Sequence, residues 1–360
     1  MKGVFFLSPF IYPYLSCKDV SPGGAELQQY LFGDALLKQG VDVHFLTGDY
    51  GQADFEEIKG FRVWKVFDKP GVKHNIANTL TELRRLNRIL RRFRGYVCYV
   101  RANPFVYVQA GLSMPPLRLV FACGSDANVN IHPFRLRRPV RELYRFFVRE
   151  AYRVLVQTQY QRSRCMEVFG VNAHVVPNIF PPVKVQDGGR KRGLLWVGNL
   201  TPVKRPMLFL RLVERMGVSA TMIGVPAHDY PGLAREVEEH ASRLANLQFI
   251  KGVPYSSIHR YFLSHRILVN TSEWEGFPNT FLQAWGSGIP VVSLGVDPDG
   301  VIVRRGCGFV ARNLDEMCYA LDSLLSNGKL MQEMGENGKR YVMEMHSPDR
   351  VVRMFLEAVG

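Results

Sequence analysis

The residues best suited to chemistry form the run Glu275-Gly276-Phe277-Pro278-Asn279. An apolar strand is predicted before this run, and a helix is predicted to begin at about its last residue. A helix N-terminus presents unpaired N–H groups and the positive end of a dipole, which favours phosphate groups. Glycine also lets the backbone approach a ligand closely. The run therefore predicts an anion site, although Glu275 taken alone could simply stabilise the helix dipole.

A second run leads from a strand through Asn199 to Lys204 and Arg205, just before a helix predicted at Pro206. Cations in such a loop can stabilise negative charge that grows on a leaving group. A Lys-Arg pair before a helix is also common in a solvated loop, so this run alone does not indicate a function.

A third run, Gly23-Gly24-Ala25-Glu26, opens a helix after the first predicted strand. Paired glycines before a helix are ordinary turn chemistry as well as a means of close backbone approach. No G-x-G-x-x-G pattern occurs at this first crossover, which argues against a dinucleotide-dependent oxidoreductase.

Together the three runs resemble glycosyltransferase family 4. Residues 275–292 match the family pattern Glu-Gly-Phe-Pro/Gly-x-x-x-x-Glu-Ala-x-x-x-Gly-x-Pro-Val-Val, with Gln283 in place of the second glutamate. The second run is similar to Gly-Arg-Leu-x-x-x-Lys-Gly, with Asn199 in place of the arginine. The third is similar to Gly-Gly-x-Glu. The matches lie in both halves of the chain and in the order that the family has.

The resemblance implies a role for each matched position. Glu275 corresponds to the glutamate that contacts hydroxyls of the transferred sugar, and the amides of residues 277–279 to those that bind phosphate. Lys204 corresponds to the lysine that balances the diphosphate, and Arg205 could replace the missing arginine charge. Gln283 keeps hydrogen-bonding capacity for the ribose but not the carboxylate charge. The implied donor-binding residues are Gly23, Gly24, Asn199, Lys204, Arg205, Glu275, Gly276, Phe277, Pro278, Asn279 and Gln283.

Asp126 completes the candidate catalytic set with Glu275 and Lys204. It follows a predicted strand, and many relatives place a histidine in this neighbourhood. Its carboxylate could contact or deprotonate an acceptor hydroxyl, but an aspartate after Gly-Ser is more often a helix cap. No pair of histidines has metal-ligand spacing, so no metal site is predicted.

The alternation of short apolar runs with longer helical patterns predicts an α/β protein, and 360 residues favour two domains. The pattern breaks near residue 177 and then restarts. We predict domains at 1–180 and 181–345 and a C-terminal helix at 346–360 that crosses back to the N-terminal domain. The resemblance implies the GT-B architecture, with two Rossmann-like, doubly wound domains facing a central cleft.

The formal charge of +14 is concentrated in two arginine-rich stretches, residues 84–94 and 135–149. Phenylalanine and leucine interleave with the arginines of the second stretch, which is typical of a helix on an anionic membrane surface but also of a solvated helix face. No nucleic-acid-binding motif accompanies the charge. The six cysteines are scattered, and the N-terminal run is better interpreted as a strand than as a signal peptide. No apolar run is long enough to span a membrane. These features predict a cytoplasmic protein, with peripheral membrane association left open.

The resemblance implies a retaining transferase that moves a sugar from a nucleotide-diphosphate donor, most simply a UDP- or GDP-sugar, to a glycan or lipid-linked hydroxyl. Polysaccharide or cell-envelope glycan synthesis is the expected setting, with no cofactor or metal required. The departing phosphate is expected to help deprotonate the acceptor, so no carboxylate pair of the hydrolase type is needed. A non-catalytic sugar-nucleotide or glycan-binding relative, a sugar-nucleotide epimerase and a phosphorylase are the alternatives. Acceptor specificity is expected in loops at 50–57 and 131–138.

Overall fold

The computed structural model describes residues 1–16, 23–69, 76–113, 118–130, 136–182 and 192–360. This part of the chain forms two compact units. The first unit contains the described residues up to Ile179 together with Pro348–Gly360, and the second contains those between Phe180 and Ser347. Each unit has its own β-sheet with helices on it.

The sheet of the first unit has eight strands in the order β3-β4-β2-β1-β5-β6-β7-β8. Its neighbours pair in parallel, except that the edge strand β3 runs antiparallel to β4. The central strand is apolar and buried throughout, as expected where helices cover both faces of a parallel sheet. The strands are β1 Gly3–Leu7, β2 Asp42–Gly48, β3 Phe55–Ile58, β4 Phe61–Phe67, β5 Val97–Arg101, β6 Arg118–Ala122, β7 Arg153–Val156 and β8 His174–Val175.

Two helices of this unit begin at residues whose side chains cap them. Asn103 accepts hydrogen bonds from two amides at the start of α4, and Thr158 accepts one at the start of α7, which ends at the left-handed Gly170. The helices are α1 Tyr12–Leu15, α2 Gly24–Lys38, α3 Ile76–Leu90, α4 Pro104–Leu112, α5 Ala127–Asn130, α6 Arg138–Arg149 and α7 Gln159–Phe169. Among the described residues, no helix is both long enough and apolar enough to cross a bilayer.

The sheet of the second unit is parallel throughout, in the order β11-β10-β9-β12-β13-β14. The chain thus builds outwards from β9 on one side and from β12 on the other, which is the strand order of a doubly wound nucleotide-binding fold. The strands are β9 Arg192–Leu200, β10 Ala220–Pro226, β11 Leu247–Ile250, β12 His265–Asn270, β13 Val291–Leu294 and β14 Gly308–Ala311.

Helices cover both faces of this second sheet with separate apolar clusters. One of them, α11, packs against α14 through Trp285, whose ring lies so close to Gly338 that a side chain there would clash. The helices are α8 Pro206–Met216, α9 Pro231–Ala241, α10 Tyr255–Ser264, α11 Asn279–Gly286, α12 Val301–Arg305, α13 Leu314–Ser326 and α14 Gly328–Met345.

The last helix, α15 Pro348–Val359, belongs to the first unit. Its Phe355 ring packs edge-on against Phe32 of α2 with centroids 4.8 Å apart, and Arg153 Nε donates to the carbonyl of Ala358 at 2.6 Å. The predicted return of the C-terminal helix to the N-terminal half is therefore confirmed, as is the prediction of two α/β halves.

The predicted loop at 50–57 is only partly a loop, because Phe55–Ile58 forms strand β3. Lys59 and Gly60 both have positive φ and join β3 to β4 as a tight hairpin. Of the predicted loop at 131–138, residues 131–135 lie outside the described residues.

Candidate functional site

The candidate site lies at the carboxyl ends of β9 and β12. These adjacent parallel strands are the point where the winding of the second sheet reverses, and ligands of doubly wound sheets bind in the crevice at that point. A short 3-10 turn, Pro202–Lys204, follows β9, and the loop of residues 271–278 follows β12 and leads into α11. Both runs singled out in this half of the sequence therefore meet at one edge.

Backbone hydrogen bonds hold the two loops together. The amide of Glu273 donates to the carbonyl of Val203 at 2.8 Å, and the hydroxyl of Thr271 donates to the carbonyl of Lys204 at 2.8 Å. The buried indole of Trp196 in turn donates to that hydroxyl at 3.0 Å. Hydrogen bonds to the loop that follows β12 therefore fix the backbone at Val203 and Lys204.

Lys204 and Glu275 form an ion pair through Nζ and Oε1. The lysine side chain is 29% exposed and the glutamate side chain 14% exposed, so the pair sits at the mouth of the loops rather than in the core. The hydroxyl of Ser272 donates to the same Oε1 at 2.6 Å. Within the described part of the chain, Oε2 makes no hydrogen bond. One carboxylate oxygen is therefore held, and the other remains available to a ligand.

A buried polar chain supports Ser272. Its hydroxyl accepts a hydrogen bond from Asn270 Nδ2 at 3.1 Å, and its amide donates to Asn270 Oδ1 at 3.2 Å. The hydroxyl of Ser293, at the next strand, donates to the same Oδ1 at 3.3 Å. Buried, satisfied networks of this kind fix side-chain geometry, so the rotamer of Glu275 is defined from the sheet upwards. The polar run Asn270-Thr271-Ser272 directly after an apolar strand was the signal for these supporting residues, which sequence reasoning missed.

Arg205 has a different role from its neighbour. Its guanidinium donates to the carbonyls of Thr271 at 2.7 Å and Ser272 at 2.8 Å, and more weakly to that of Leu294 at 3.4 Å. These carbonyls lie at the ends of β12 and β13, so the arginine closes the sheet edge. Its φ of 47° is unusual for a residue with a side chain, which explains why the family pattern has glycine at this position. The prediction that Arg205 carries diphosphate charge stays a prediction.

The run after Glu275 positions the start of α11. Gly276, Phe277 and Pro278 are buried, and the Phe277 ring packs on His346 with centroids 4.8 Å apart. Pro278 is the residue before the helix, and Asn279 is its first residue. The loop is thus anchored by an aromatic side chain while the first amides of α11 lie at the same sheet edge as Lys204.

Asn199 and Gln283, which also depart from the family pattern, are accessible. Asn199 is exposed near the end of β9, and its carbonyl accepts from the amide of Thr201 at 2.9 Å. Gln283 is half-buried on α11, one turn beyond the start of the helix. Their predicted contacts with a donor stay predictions.

The predicted residues of the first unit lie at its own sheet edge. Gly23 precedes α2 and Gly24 begins it, whereas Ser21 and Pro22 lie outside the described residues. The carboxylate of Glu26 folds back over Gly23, so closely that a side chain at Gly23 would collide with it. Burial raises the pKa of Glu26, and the positive charge of Arg101 partly opposes that shift.

Arg101, at the end of β5, was missed by sequence reasoning. It is almost fully buried, and its guanidinium donates to Asn178 Oδ1 at 2.6 Å and to the Tyr99 hydroxyl at 3.2 Å. A buried arginine needs such partners to offset its lost hydration. Only the tertiary structure reveals it, because a lone arginine at a strand end gives no sequence signal.

Asp126 directly precedes the short helix α5. One carboxylate oxygen accepts a hydrogen bond from Gln161 Nε2 at 2.9 Å, and the Asp126 carbonyl accepts from the amides of Val129 and Asn130. The bonds at the start of α5 therefore come from the main chain of Asp126, and both the side-chain cap and the catalytic role stay predictions. In the described part of the chain, no cluster of three or more histidine, cysteine or carboxylate side chains could hold a metal ion.

Family models match both halves of the chain. Residues 22–182 match the model for Glycosyltransferase Family 4, and residues 183–341 match the model for Glycosyl transferases group 1. An uncharacterised glycosyltransferase of Haemophilus influenzae is 22% identical over 352 residues, which cover 92% of this chain and 95% of the relative.

Solved structures share the fold over the whole chain. A TarM variant from S. aureus, crystallised with fondaparinux, alpha-GlcNAc-glycerol and UDP, has a TM-score of 0.80 at 13% identity, with 100% of both chains covered. Sucrose-phosphate synthase from Thermosynechococcus elongatus has a TM-score of 0.79 at 15% identity, with 99% of this chain and 98% of the other covered. Three observations agree: two mostly parallel sheets covered by helices, a polar site at the switch point of the second, and family models over both halves. This chain belongs to glycosyltransferase family 4 and is a glycosyltransferase with the GT-B fold.

Proposed function

We propose that this glycosyltransferase moves a sugar from a UDP- or GDP-sugar to a hydroxyl of a glycan or lipid-linked acceptor, with retention of anomeric configuration. Polysaccharide or cell-envelope glycan synthesis is the proposed setting. The observation that carries the proposal is the Lys204–Glu275 pair at the switch point of the second sheet, beside the start of α11. The co-crystallisation of the TarM variant with UDP favours UDP as the base and diphosphate of the donor.

In this pair, Lys204 can exchange the carboxylate of Glu275 for the diphosphate of a donor. A lysine ammonium is a compact charge with three donors, and it can move from a carboxylate to a diphosphate without changing its charge state. When Lys204 turns to the diphosphate, Glu275 is released from it while Ser272 still holds Oε1. The carboxylate can then accept hydrogen bonds from sugar hydroxyls. Lys204 and the amides of α11 stabilise the charge that grows on the departing phosphate.

The proposed retention uses no covalent intermediate on Glu275. Ser272 donates to Oε1, and we assign to this carboxylate the binding of sugar hydroxyls rather than attack on the anomeric carbon. We assign the acceptor proton to the departing phosphate, and no second carboxylate of the hydrolase type enters the scheme. Contact of Asp126 with the acceptor, and of Gly23, Gly24, Asn199, Arg205 and Gln283 with the donor, remain part of the proposal.

A cytoplasmic location belongs to the same proposal. The five cysteines within the described residues are unpaired, and four of them are buried. Free thiols are typical of a reducing compartment, where disulfides are rare.

Nucleotide binding tests the proposal most directly. The melting temperature of the purified protein is measured with UDP, GDP, ADP and CMP and with their sugar conjugates, for the wild type and for Lys204→Ala. We expect one nucleotide class to stabilise the wild type, by about 2.7 kcal/mol at a concentration of about 100 Kd, and to lose most of this effect in Lys204→Ala. Lys251→Ala is the matched control, because Lys251 pairs with Glu238 on the surface of the same unit.

Turnover separates the enzyme from the alternatives. Release of nucleoside diphosphate from the stabilising donor, measured over time, is expected for a transferase, since water can slowly replace the acceptor. Binding without any release would favour the non-catalytic relative that Asn199 and Gln283 make possible. Conversion of the donor to an epimer would favour the epimerase. A folded sample that no nucleotide stabilises would contradict the proposed function altogether.

A further inference from the structure

Three neighbouring helices of the first unit share an outward face. Helices α3, α4 and α6 lead into the neighbouring strands β5, β6 and β7, respectively. Helix α4 packs against both α3 and α6. The contact between α4 and α6 is close, because the Phe147 ring lies directly on Gly111 and the Tyr107 hydroxyl donates to the carbonyl of Phe147 at 2.9 Å. The three helices therefore form one continuous layer.

This layer exposes large apolar side chains. Phe105 of α4 is 58% exposed and Phe146 of α6 is 55% exposed, whereas phenylalanine side chains are usually buried. Apolar surface shared by several neighbouring elements marks an interaction site more often than a scattered single residue does. We call this surface the basic apolar face, and its exposed apolar members are Leu80, Phe105, Leu112, Leu143 and Phe146.

Arginines surround these side chains. Arg84 and Arg88 are exposed on α3, and Arg138 and Arg149 are exposed on α6. None of these four forms an ion pair with a described residue, and Arg149 Nε donates to the carbonyl of Phe169 at 3.2 Å. The arginines of the face are Arg84, Arg88, Arg138, Arg141, Arg145 and Arg149.

Few carboxylates offset this charge. Glu82 of α3 is buried and accepts hydrogen bonds from the Asp68 amide and the Gln109 side chain, so it does not reach the face. On α6, Glu142 lies beside Arg141 and Arg145, and the exposed Glu150 directly follows Arg149. The outward charge of the three helices is therefore strongly positive.

We propose that the basic apolar face docks on an anionic phospholipid surface, with Leu143 and Phe146 in the boundary between headgroups and acyl chains. Arginine side chains can keep their guanidinium groups among lipid phosphates while their stems cover apolar surface. A surface-bound helix requires an apolar strip beside a cationic one, and α6 has both. A soluble polyanion would satisfy the arginines but would leave the exposed leucines in water. This inference concerns residues outside the candidate active site and goes beyond the proposed function.

Vesicle flotation tests the inference. The protein is mixed with vesicles of equal parts phosphatidylcholine and phosphatidylglycerol, or of phosphatidylcholine alone, at low and high salt. We expect flotation only with the anionic vesicles, and less of it at high salt, because salt screens the attraction between arginines and lipid phosphates. Equal flotation with both kinds of vesicle, or none with either, would overturn the inference.

Two paired variants test which side chains are responsible. The double substitution Arg84→Gln, Arg138→Gln is expected to weaken binding to anionic vesicles about 30-fold, since each arginine near such a surface contributes about fivefold. Its control is Arg235→Gln, Arg243→Gln, which removes the same charge from exposed positions of the second unit. Equal weakening by both doubles would show that only net charge matters and would overturn the assignment of the face.

A second double substitution and its control test the apolar contribution to binding. Leu143→Ser, Phe146→Ser is expected to weaken binding at least about 10-fold, because the apolar area no longer enters the lipid. The control is Val303→Ser, Tyr319→Ser, at side chains that are 68% and 77% exposed in the second unit. Unchanged binding in the first double would overturn the inference, as would tight binding to heparin combined with no vesicle binding. The melting temperature of each variant without nucleotide shows that it is folded, and this control does not depend on the proposed function.

Discussion

The two sheets of the molecule end in polar edges that use their charged residues differently. In the second unit, Lys204 and Glu275 are held mainly by each other. In the first unit, Arg101 is bound to Asn178 and Tyr99 within the protein, and Asp126 is bound to Gln161. A charge pair at an accessible edge can exchange its partner for a ligand, whereas charges already committed to fixed neighbours hold loops in place. The comparison favours the edge of the second unit for the donor chemistry that we propose.

The largest expected effect comes from Glu275→Gln. The amide keeps the shape but loses the charge that sugar hydroxyls require, so we expect kcat/KM to fall about 100- to 1000-fold while nucleotide affinity changes little. Steady-state turnover and nucleotide-induced stabilisation are measured on the same protein. Near-normal turnover would show that the exchangeable pair is not catalytic and would break the comparison.

A smaller effect, on stability, is expected for the neighbouring arginine. Arg205→Ala leaves carbonyls at the ends of β12 and β13 without their donor, and we expect the free energy of unfolding to fall by about 2 to 4 kcal/mol. Arg205→Gly should lose about 1 kcal/mol less, because glycine tolerates the φ of 47°. Urea unfolding measures both, with the exposed Arg211→Ala as control. Equal stability of wild type and Arg205→Ala would show that the guanidinium is free for a ligand.

Acid sensitivity should be shared by both units, because each has one buried histidine with a lowered pKa. Burial lowers the pKa of His44 and of His265 below the ordinary 6.5, so the folded state keeps both neutral. Their contribution to stability is complete above about pH 6.5 and is lost as the pH falls towards the folded-state pKa. Melting temperatures between about pH 7.5 and 5.5 measure this loss.

The histidine variants show which unit accounts for the acid sensitivity. His265→Gln and His44→Gln should each flatten the pH dependence, whereas His228→Gln, at a fully exposed side chain, is the control. A slope in His265→Gln as steep as that of the wild type would contradict the assignment to the second unit.

The smallest expected effect is that of Asp126→Asn. The asparagine carbonyl can still accept from Gln161 Nε2, and the main-chain bonds at the start of α5 do not involve the side chain. The local structure should therefore survive, and kcat/KM should fall less than about tenfold. Activity is measured against pH for both proteins. A loss of about 100-fold or more would be that of a missing general base and would place catalytic chemistry at the edge of the first unit as well.

Much of the fold follows from local sequence patterns. The helices predicted after Gly23, at Pro206 and at about Asn279 begin at Gly24, Pro206 and Asn279 in the structure. Strand β3 was missed because it is short and its two central residues, Glu56 and Glu57, are both acidic, as is common in a loop. The Lys59-Gly60 turn, with positive φ at both residues, was the available signal for a hairpin.

The candidate site was predicted in its composition but not in its contacts. Sequence resemblance assigned Lys204 and Glu275 to donor binding, yet their ion pair joins residues 71 positions apart. The anchoring of Arg205 by backbone carbonyls depends on three loops meeting at one edge, and no local pattern encodes such a meeting. Asn270 and Ser293 support the site from neighbouring strands, so their role becomes visible only once the sheet order is known.

Helix α15 has a consequence for how the protein is made. The ribosome completes the whole second unit before it synthesises this helix, yet the helix belongs to the first unit, where Phe355 covers Phe32. Part of the apolar surface of the first unit therefore stays uncovered until α15 has been synthesised. Translation that stops after α14 would leave a chain whose second half is complete and whose first half still exposes the seat of α15, a form suited to recognition by chaperones.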